Sequence, residues 1–242
     1  MDRWIVKLLG LAALTACDTG VDPNADCVAL PPDALHWWTG DGDGMDQIGT
    51  AHATLMDGAT LASGLVGQAF SFDGIDAFGR VEDAPTLNPT GPFTVMGWAK
   101  PQPNPLSGAM IGKGDPWEES WVLGSRNGYW NGFIRSEENF AVNTFGPELV
   151  AGVWTHVAMK WNGAVLALYV NGELVDAARI ASIRRTNVFV GIGWRSEDGF
   201  TDRELDLEFA GEIDEILFFA RGLDEQEIKG VFAAADGGTC KS

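Results

Sequence analysis

An all-β, two-sheet antiparallel sandwich with one short C-terminal helix is predicted by three features of this sequence. Two Asn-Gly pairs punctuate an alternating stretch, short strand-like runs are separated by Gly and Pro, and 31 Gly and 10 Trp occur among 242 residues. From Trp154 to Trp161 the chain alternates, with Val157, Met159 and Trp161 on one face. Asn162-Gly163, the run Ala164 to Val170, Asn171-Gly172 and the run Glu173 to Ala178 follow. Asn-Gly supplies the two positive-φ residues of a type I′ turn, so both pairs are expected to close hairpins in a three-strand meander.

Further strands are expected at Gln68–Asp73, Phe78–Glu82, Phe93–Lys100, Ser120–Arg126, Asn187–Trp194 and Glu208–Ala220. A helix is expected after Asp224, with Glu227 completing a capping box and Ile228, Val231 and Phe232 as its apolar stripe. No repeat of solenoid length and no second linker is seen, so residues 34–242 are expected to form one domain.

Mean hydropathy is near zero and 45% of residues are hydrophobic, a globular composition. The formal net charge is −18, which repels phosphate backbones and argues against nucleic acid as a partner. His36, His52 and His156 are scattered without zinc-ligand spacing, and no G-x-S-x-G nucleophile elbow occurs.

The N-terminus reads as a targeting segment, residues 1–16. Arg3 and Lys7 are basic, and Ile5 to Ala16 is apolar apart from Lys7, too short for a bilayer span. Leu14-Thr15-Ala16-Cys17 matches the lipobox of bacterial lipoproteins, with Cys17 as the lipidated residue. Residues 17–33, polar and proline-bearing, then read as a flexible tether, and the lipid at Cys17 as the sole membrane contact of an extracytoplasmic, membrane-anchored protein. Cys27 and Cys240 form an even remainder, so one disulfide is expected in an exported chain. In the chain-entropy picture so long a loop is worth at most about 5 kcal/mol.

Four segments, in order, resemble the laminin G-like jelly-roll domains of the concanavalin A-like lectin/glucanase superfamily. These are Val66-Gly-Gln-Ala-Phe-Ser-Phe-Asp-Gly74; Leu87-Asn-Pro-Thr90 with Phe93 and Trp98; Trp154-Thr-His-Val-Ala158 with Leu168-Tyr-Val-Asn-Gly172; and Gly211-Glu-Ile-Asp-Glu-Ile216 with Arg221 and Leu223. Within these segments Phe70 and Phe72 alternate onto one sheet face and the large Trp98, Trp154 and Tyr169 are expected in the core, and the resemblance implies a jelly roll. It also implies a structural calcium ion between an acid near the start of the domain, Asp41 or Asp43, and Asp214 on the last strand; hard oxygen ligands in a loose shell suit that ion.

Glycan binding needs aromatic faces beside polar groups, and Trp117, Trp121, Tyr129, Trp130 and Trp194 lie in turn-rich stretches that could offer them; packing in the core is the competing role. Glu204-x-Asp206-x-Glu208 resembles the carboxylate strand of retaining β-glucanases, although it falls late in the chain. Three functions follow in order of preference. The first is a non-enzymatic, surface-displayed adhesion module for a glycan or an envelope protein. The second is a structural envelope lipoprotein without a ligand, and the third an endo-β-glucanase using Glu204, Asp206 and Glu208. Replacing Cys17 with Ala should release the protein from membranes, measured by detergent phase partitioning; equal retention of the variant would remove the anchor.

Overall fold

The structure, a computed structural model, describes residues 29–103, 108–114, 119–194 and 208–234. Cys17, Cys27, Trp117, Glu204, Asp206 and Cys240 lie outside the described residues.

The strands run β1 (Ala34–Trp38), β2 (Ala53–Met56), β3 (Thr60–Ser63), β4 (Gln68–Asp73), β5 (Phe78–Val81), β6 (Phe93–Pro101), β7 (Gly108–Lys113), β8 (Trp121–Arg126), β9 (Tyr129–Arg135), β10 (Ala141–Glu148), β11 (Thr155–Trp161), β12 (Val165–Val170), β13 (Glu173–Arg179), β14 (Val190–Ile192) and β15 (Ala210–Phe219). Helix α1 (Glu225–Ala234) follows. One sheet has the order β13-β12-β11-β6-β15-β4-β3 with β1 also on β15, and the other β10-β9-β8-β7-β14-β5-β2. All strand pairs in both sheets are antiparallel.

The meander is present as β11 to β13, but its two turns differ. Asn171 and Gly172 both take positive φ (49° and 78°), as a type I′ turn requires. At the other turn only Gly163 does, at 94°. That hairpin pairs Trp161 with Leu166, so its loop is longer than two residues. Asn162 instead turns the chain through its side chain, which accepts from the N–H of Ala164 at 3.0 Å and of Val165 at 2.9 Å. The helix cap forms reciprocally: Asp224 Oδ1 accepts from Glu227 N, and Glu227 Oε2 from Asp224 N, both at 2.8 Å.

Two apolar layers hold the fold. Between the sheets lie Trp38, Phe70, Phe72, Phe93, Trp121, Trp130 and Phe218, with Phe93, Trp121 and Phe218 in mutual ring contact at 5.6–5.9 Å. On the far side of the eight-stranded sheet, Trp37, Met96, Ala158, Tyr169, Leu217 and Phe219 take Ile228 and Val231 of α1. Of the residues assigned to the core, Phe70, Phe72, Trp98 and Tyr169 are buried, while Trp154 is half-buried with the Lys100 ammonium 5.1 Å from its ring centroid.

His156 sits in this second layer, wholly buried, against Trp98 at 5.3 Å and Phe232 at 6.1 Å, and neither ring nitrogen has a hydrogen-bond partner. Burial pulls its pKa down from 6.5 to about 3. Between those values the unfolded chain binds a proton that the folded chain does not. Stability should therefore fall as pH drops below about 6.5, by up to on the order of 4 kcal/mol by pH 3. His156→Phe should remove that part of the acid sensitivity, read as a smaller shift of the urea midpoint between pH 7 and pH 4.

Candidate glycan-binding face

On β8 and β9 the residues that alternate with the core positions Trp121, Leu123, Trp130 and Ile134 face away from the sandwich. They are Val122, Gly124 and Arg126 on one strand and Tyr129, Asn131, Phe133 and Arg135 on the next. Val122 pairs with Phe133, Gly124 with Asn131, and Arg126 with Tyr129. β10 continues the face, with Phe145 opposite Asn131 and Asn143 opposite Phe133.

This outer face has two characters. Its middle is filled: Trp194 lies over Gly112 and Gly191, and a Cβ on Gly112 would come within 2.5 Å of the indole. The β9–β10 margin is open, with Tyr129 46% and Phe145 43% exposed. Between them the Asn131 amide is held by its own donors, Nδ2 giving to Asn143 Oδ1 at 3.2 Å and to the Thr144 carbonyl at 2.9 Å. At the other end of β9, Arg135 forks onto Glu119 Oε2 at 2.7 and 3.1 Å, and its guanidinium carbon lies 5.3 Å from the Phe133 ring centroid.

The expected aromatic platform is corrected by these positions. Trp121 and Trp130 are 0% and 1% exposed and belong to the inter-sheet core, because both occupy the inward alternation of their strands. Trp194 is 1% exposed, since Gly112 and Gly191 leave a slot that its ring fills. Tyr129 alone of the described candidates is open. Phe145 was not singled out, because Pro147 and scattered polar residues hide the alternation of β10. The Asn127-Gly128 pair was the usable signal: both take positive φ, 53° and 81°, and form the two-residue turn that joins β8 to β9.

Of the carboxylates expected to hold calcium, Asp41 or Asp43 with Asp214, the structure brings Asp41 and Asp214 to one turn and leaves Asp43 apart. Asp43 is exposed and accepts from Met45 N within its own turn. Asp41 and Asp214 instead grip one turn from two sides, between β3 and β4. Asp41 Oδ1 accepts from Gln68 N at 2.7 Å, and Asp214 Oδ2 from Leu65 N at 2.9 Å and Val66 N at 3.0 Å. The approach is close enough that a Cβ on Gly64 would meet Asp214 Oδ2 at 2.6 Å. Asp214 is fully buried, and its Oδ1 has no hydrogen-bond partner. Burial pushes its carboxyl up to about 7 against the pull of the Val66, Leu65 and Glu215 N–H groups. Among the described residues no three His, Cys, Asp or Glu side chains gather to hold a metal, so any ion here would draw its remaining ligands from carbonyls and water. Of the glucanase-like carboxylates, Glu208 alone is described; it is half-buried, just ahead of β15.

A family model described as the concanavalin A-like lectin/glucanases superfamily matches residues 73–229. Among solved structures, the chain is similar to the binding domain of Paraclostridial Mosquitocidal Protein 1 (TM-score 0.67, 13% identity, 83% of this chain and 52% of that one). It is also similar to domain 4 of AbnA, a GH43 extracellular arabinanase from Geobacillus stearothermophilus, in complex with arabinotriose (TM-score 0.59, 18% identity, 84% and 99%). A third is the binding domain of botulinum neurotoxin serotype G (TM-score 0.63, 15% identity, 83% and 51%). The chain thus spans about half the length of the toxin binding domains it matches. No curated protein matches the sequence.

Proposed function

The chain belongs to the concanavalin A-like lectin/glucanases superfamily, and from that premise we propose that it is a non-enzymatic glycan-binding module, held outside the cytoplasm by a lipid on Cys17. The observation that carries this reading is the open pair Tyr129 and Phe145, on adjacent strands of one face with the Asn131 and Asn143 amides beside them. Exposed aromatic rings cover the apolar C–H faces of sugars, and fixed amides meet the hydroxyls. The likeness to an arabinanase domain solved with arabinotriose, over nearly the whole of that domain, supports the same reading. The toxin matches are binding domains by name.

A ligand-free structural lipoprotein is the second reading, favoured by the Trp194 ring that fills the middle of the same face. Retention on insoluble or gel-embedded arabinan, xylan, mannan and β-glucan separates the two. At least one polymer should retard the full-length chain in affinity electrophoresis, and Tyr129→Ala with Phe145→Ala should weaken that retardation at least tenfold. Retardation by none of them would favour the structural reading.

Calcium at the β3–β4 turn is part of the proposal. Asp41 and Asp214 would hold it, and the ion would supply the positive charge that the buried Asp214 carboxylate lacks. Because the folded-state pKa of Asp214 is raised, its neutral form stabilises the fold at low pH, and that stability is lost as pH rises through about 7. At pH 8, calcium should raise the melting temperature by several degrees, chelation should reverse it, and Asp214→Asn should abolish the response. A melting temperature indifferent to calcium at pH 8 would leave Asp214 as a clamp on the turn alone.

A further inference from the structure

At the opposite corner of the seven-stranded sheet from Tyr129 and Phe145 lies an open cleft of about 500 Å3. Asp83, Pro85 and Asn88 line one side of it, and Arg185, Thr186 and Asn187 the other. The first group is the loop leaving β5, which runs through a short helical turn, Pro85–Leu87. The second group leads into β14, which is hydrogen-bonded to β5 through Val190 and Val81. Strand pairing between β5 and β14 therefore fixes the width of the cleft.

Beneath the lining is Lys113, the last residue of β7, whose side chain is wholly buried. Its ammonium donates to Asp83 Oδ1 at 2.6 Å and to the Val188 carbonyl at 2.7 Å, so one cation pins both walls. Asp83 Oδ1 also accepts from Asn88 Nδ2 at 2.7 Å. The amide is thereby oriented, with its Oδ1 buried and without a hydrogen-bond partner. Burial lowers the Lys113 pKa, while the bond to Asp83 works in the opposite direction. On the other wall Arg185 and Asn187 are exposed and make no hydrogen bond or ion pair among the described residues. Thr186 Oγ1 accepts from Val188 N and keeps its own proton to donate.

The lining thus presents the Asp83 carboxylate as a fixed acceptor on one side and the donors of Arg185, Thr186 and Asn187 on the other, with the Pro85 ring as a small apolar surface. A hydroxyl both donates and accepts, so a polyol satisfies both walls at once. An anion would meet the Arg185 guanidinium but has no proton to give the Asp83 carboxylate, and it would approach against a net charge of −18.

We propose that this cleft is a second glycan subsite, which takes the neutral, hydroxylated end of a saccharide between Asp83 and Asn88 on one wall and Arg185, Thr186 and Asn187 on the other. It rests on the reading of the chain as a glycan-binding module, and it adds a site remote from the aromatic pair. Lys113 is a positioning residue, since its ammonium is spent on the two walls.

The test is a 1H–15N NMR titration of the full-length chain with methyl glycosides of glucose, galactose, mannose, xylose and arabinose. At least one should shift the side-chain amide signals of Asn88 and Asn187 saturably. Arg185→Ala with Asn187→Ala, both exposed positions, should weaken that binding at least tenfold as read on Asn88, and Tyr129→Ala should leave it unchanged. The proposal is overturned if no member of the panel shifts the signals. It is also overturned if glucuronate or inorganic phosphate shifts them and the neutral sugars do not, or if the shifts survive in the double variant. Polymer retardation lost on changing Tyr129 and Phe145, with the cleft signals silent, would retire the cleft and keep the module; absence of both would retire both.

Discussion

A buried carboxylate, Asp46, holds the point where the chain leaves one sheet for the other, and the rest of the sandwich is hung from it. Oδ1 accepts from the N–H groups of Trp37, Ile48 and Gly49, and Oδ2 from Ala51 N and from His36 Nδ1 at 2.6 Å. Burial alone would raise the Asp46 pKa, but the bonds from His36, Gly49 and Trp37 outweigh it and hold the carboxyl below its ordinary value. An ion out of water is tolerated only when its lone pairs are met in this way. The consequence is positional. Trp37 and Trp38, adjacent on β1, enter different apolar layers, and the His36 ring stacks on Trp38 at 5.3 Å. Fixing β1 at Asp46 thus sets the register of the inter-sheet core and of the layer under α1 together.

That arrangement makes the two outer faces unequal. On the eight-stranded sheet α1 covers the face, and Phe232 closes over Trp98 and His156. The seven-stranded sheet has no helix against it among the described residues. Glycines keep its centre thin, and Trp194 fills what they leave. The two proposed binding surfaces accordingly lie at its margins, the aromatic pair at β9–β10 and the polar cleft at the end of β5. The aromatic pair sits on paired strands, and the cleft lies between two loops that Lys113 ties together, which limits the backbone ordering that binding would cost.

What was legible in the sequence was local and periodic. The meander, the capping box and the strand Gln68–Asp73 announce themselves through period-two alternation, Asn-Gly and a Ser/Asp-x-x-Glu spacing, each a short-range signal. The strand expected at Asn187–Trp194 shrinks to Val190–Ile192, because Gly193 takes φ 68° and turns its N–H to the Met110 carbonyl. Which way a tryptophan points was not legible: Trp121, Trp130 and Trp194 are large and apolar in any reading, and only strand register decides whether such a ring faces core, slot or solvent. The long-range polar links were invisible for the same reason. Asp214 reaches Leu65 across 149 positions and Lys113 reaches Val188 across 75, separations that leave no mark on composition or periodicity.

The large negative charge also reads differently once the fold is known. Three cations inside and near the core each have a carboxylate: Lys113 with Asp83, Arg135 with Glu119, Arg221 with Glu227. Apart from the buried Asp46, Asp214 and Glu215, much of the acidic excess lies on turns and surface, where salt screens it beyond about 8–10 Å. At such range it does little to the fold and much to the choice of partner. A phosphorylated or uronate-rich polymer would meet repulsion before it reached either margin of the seven-stranded sheet, whereas a neutral polymer meets none. On the proposed reading, the acidic surface and the donors and acceptors of the Asp83–Arg185 cleft would favour the same kind of ligand, the first by repelling anions near the surface and the second by meeting hydroxyls at contact.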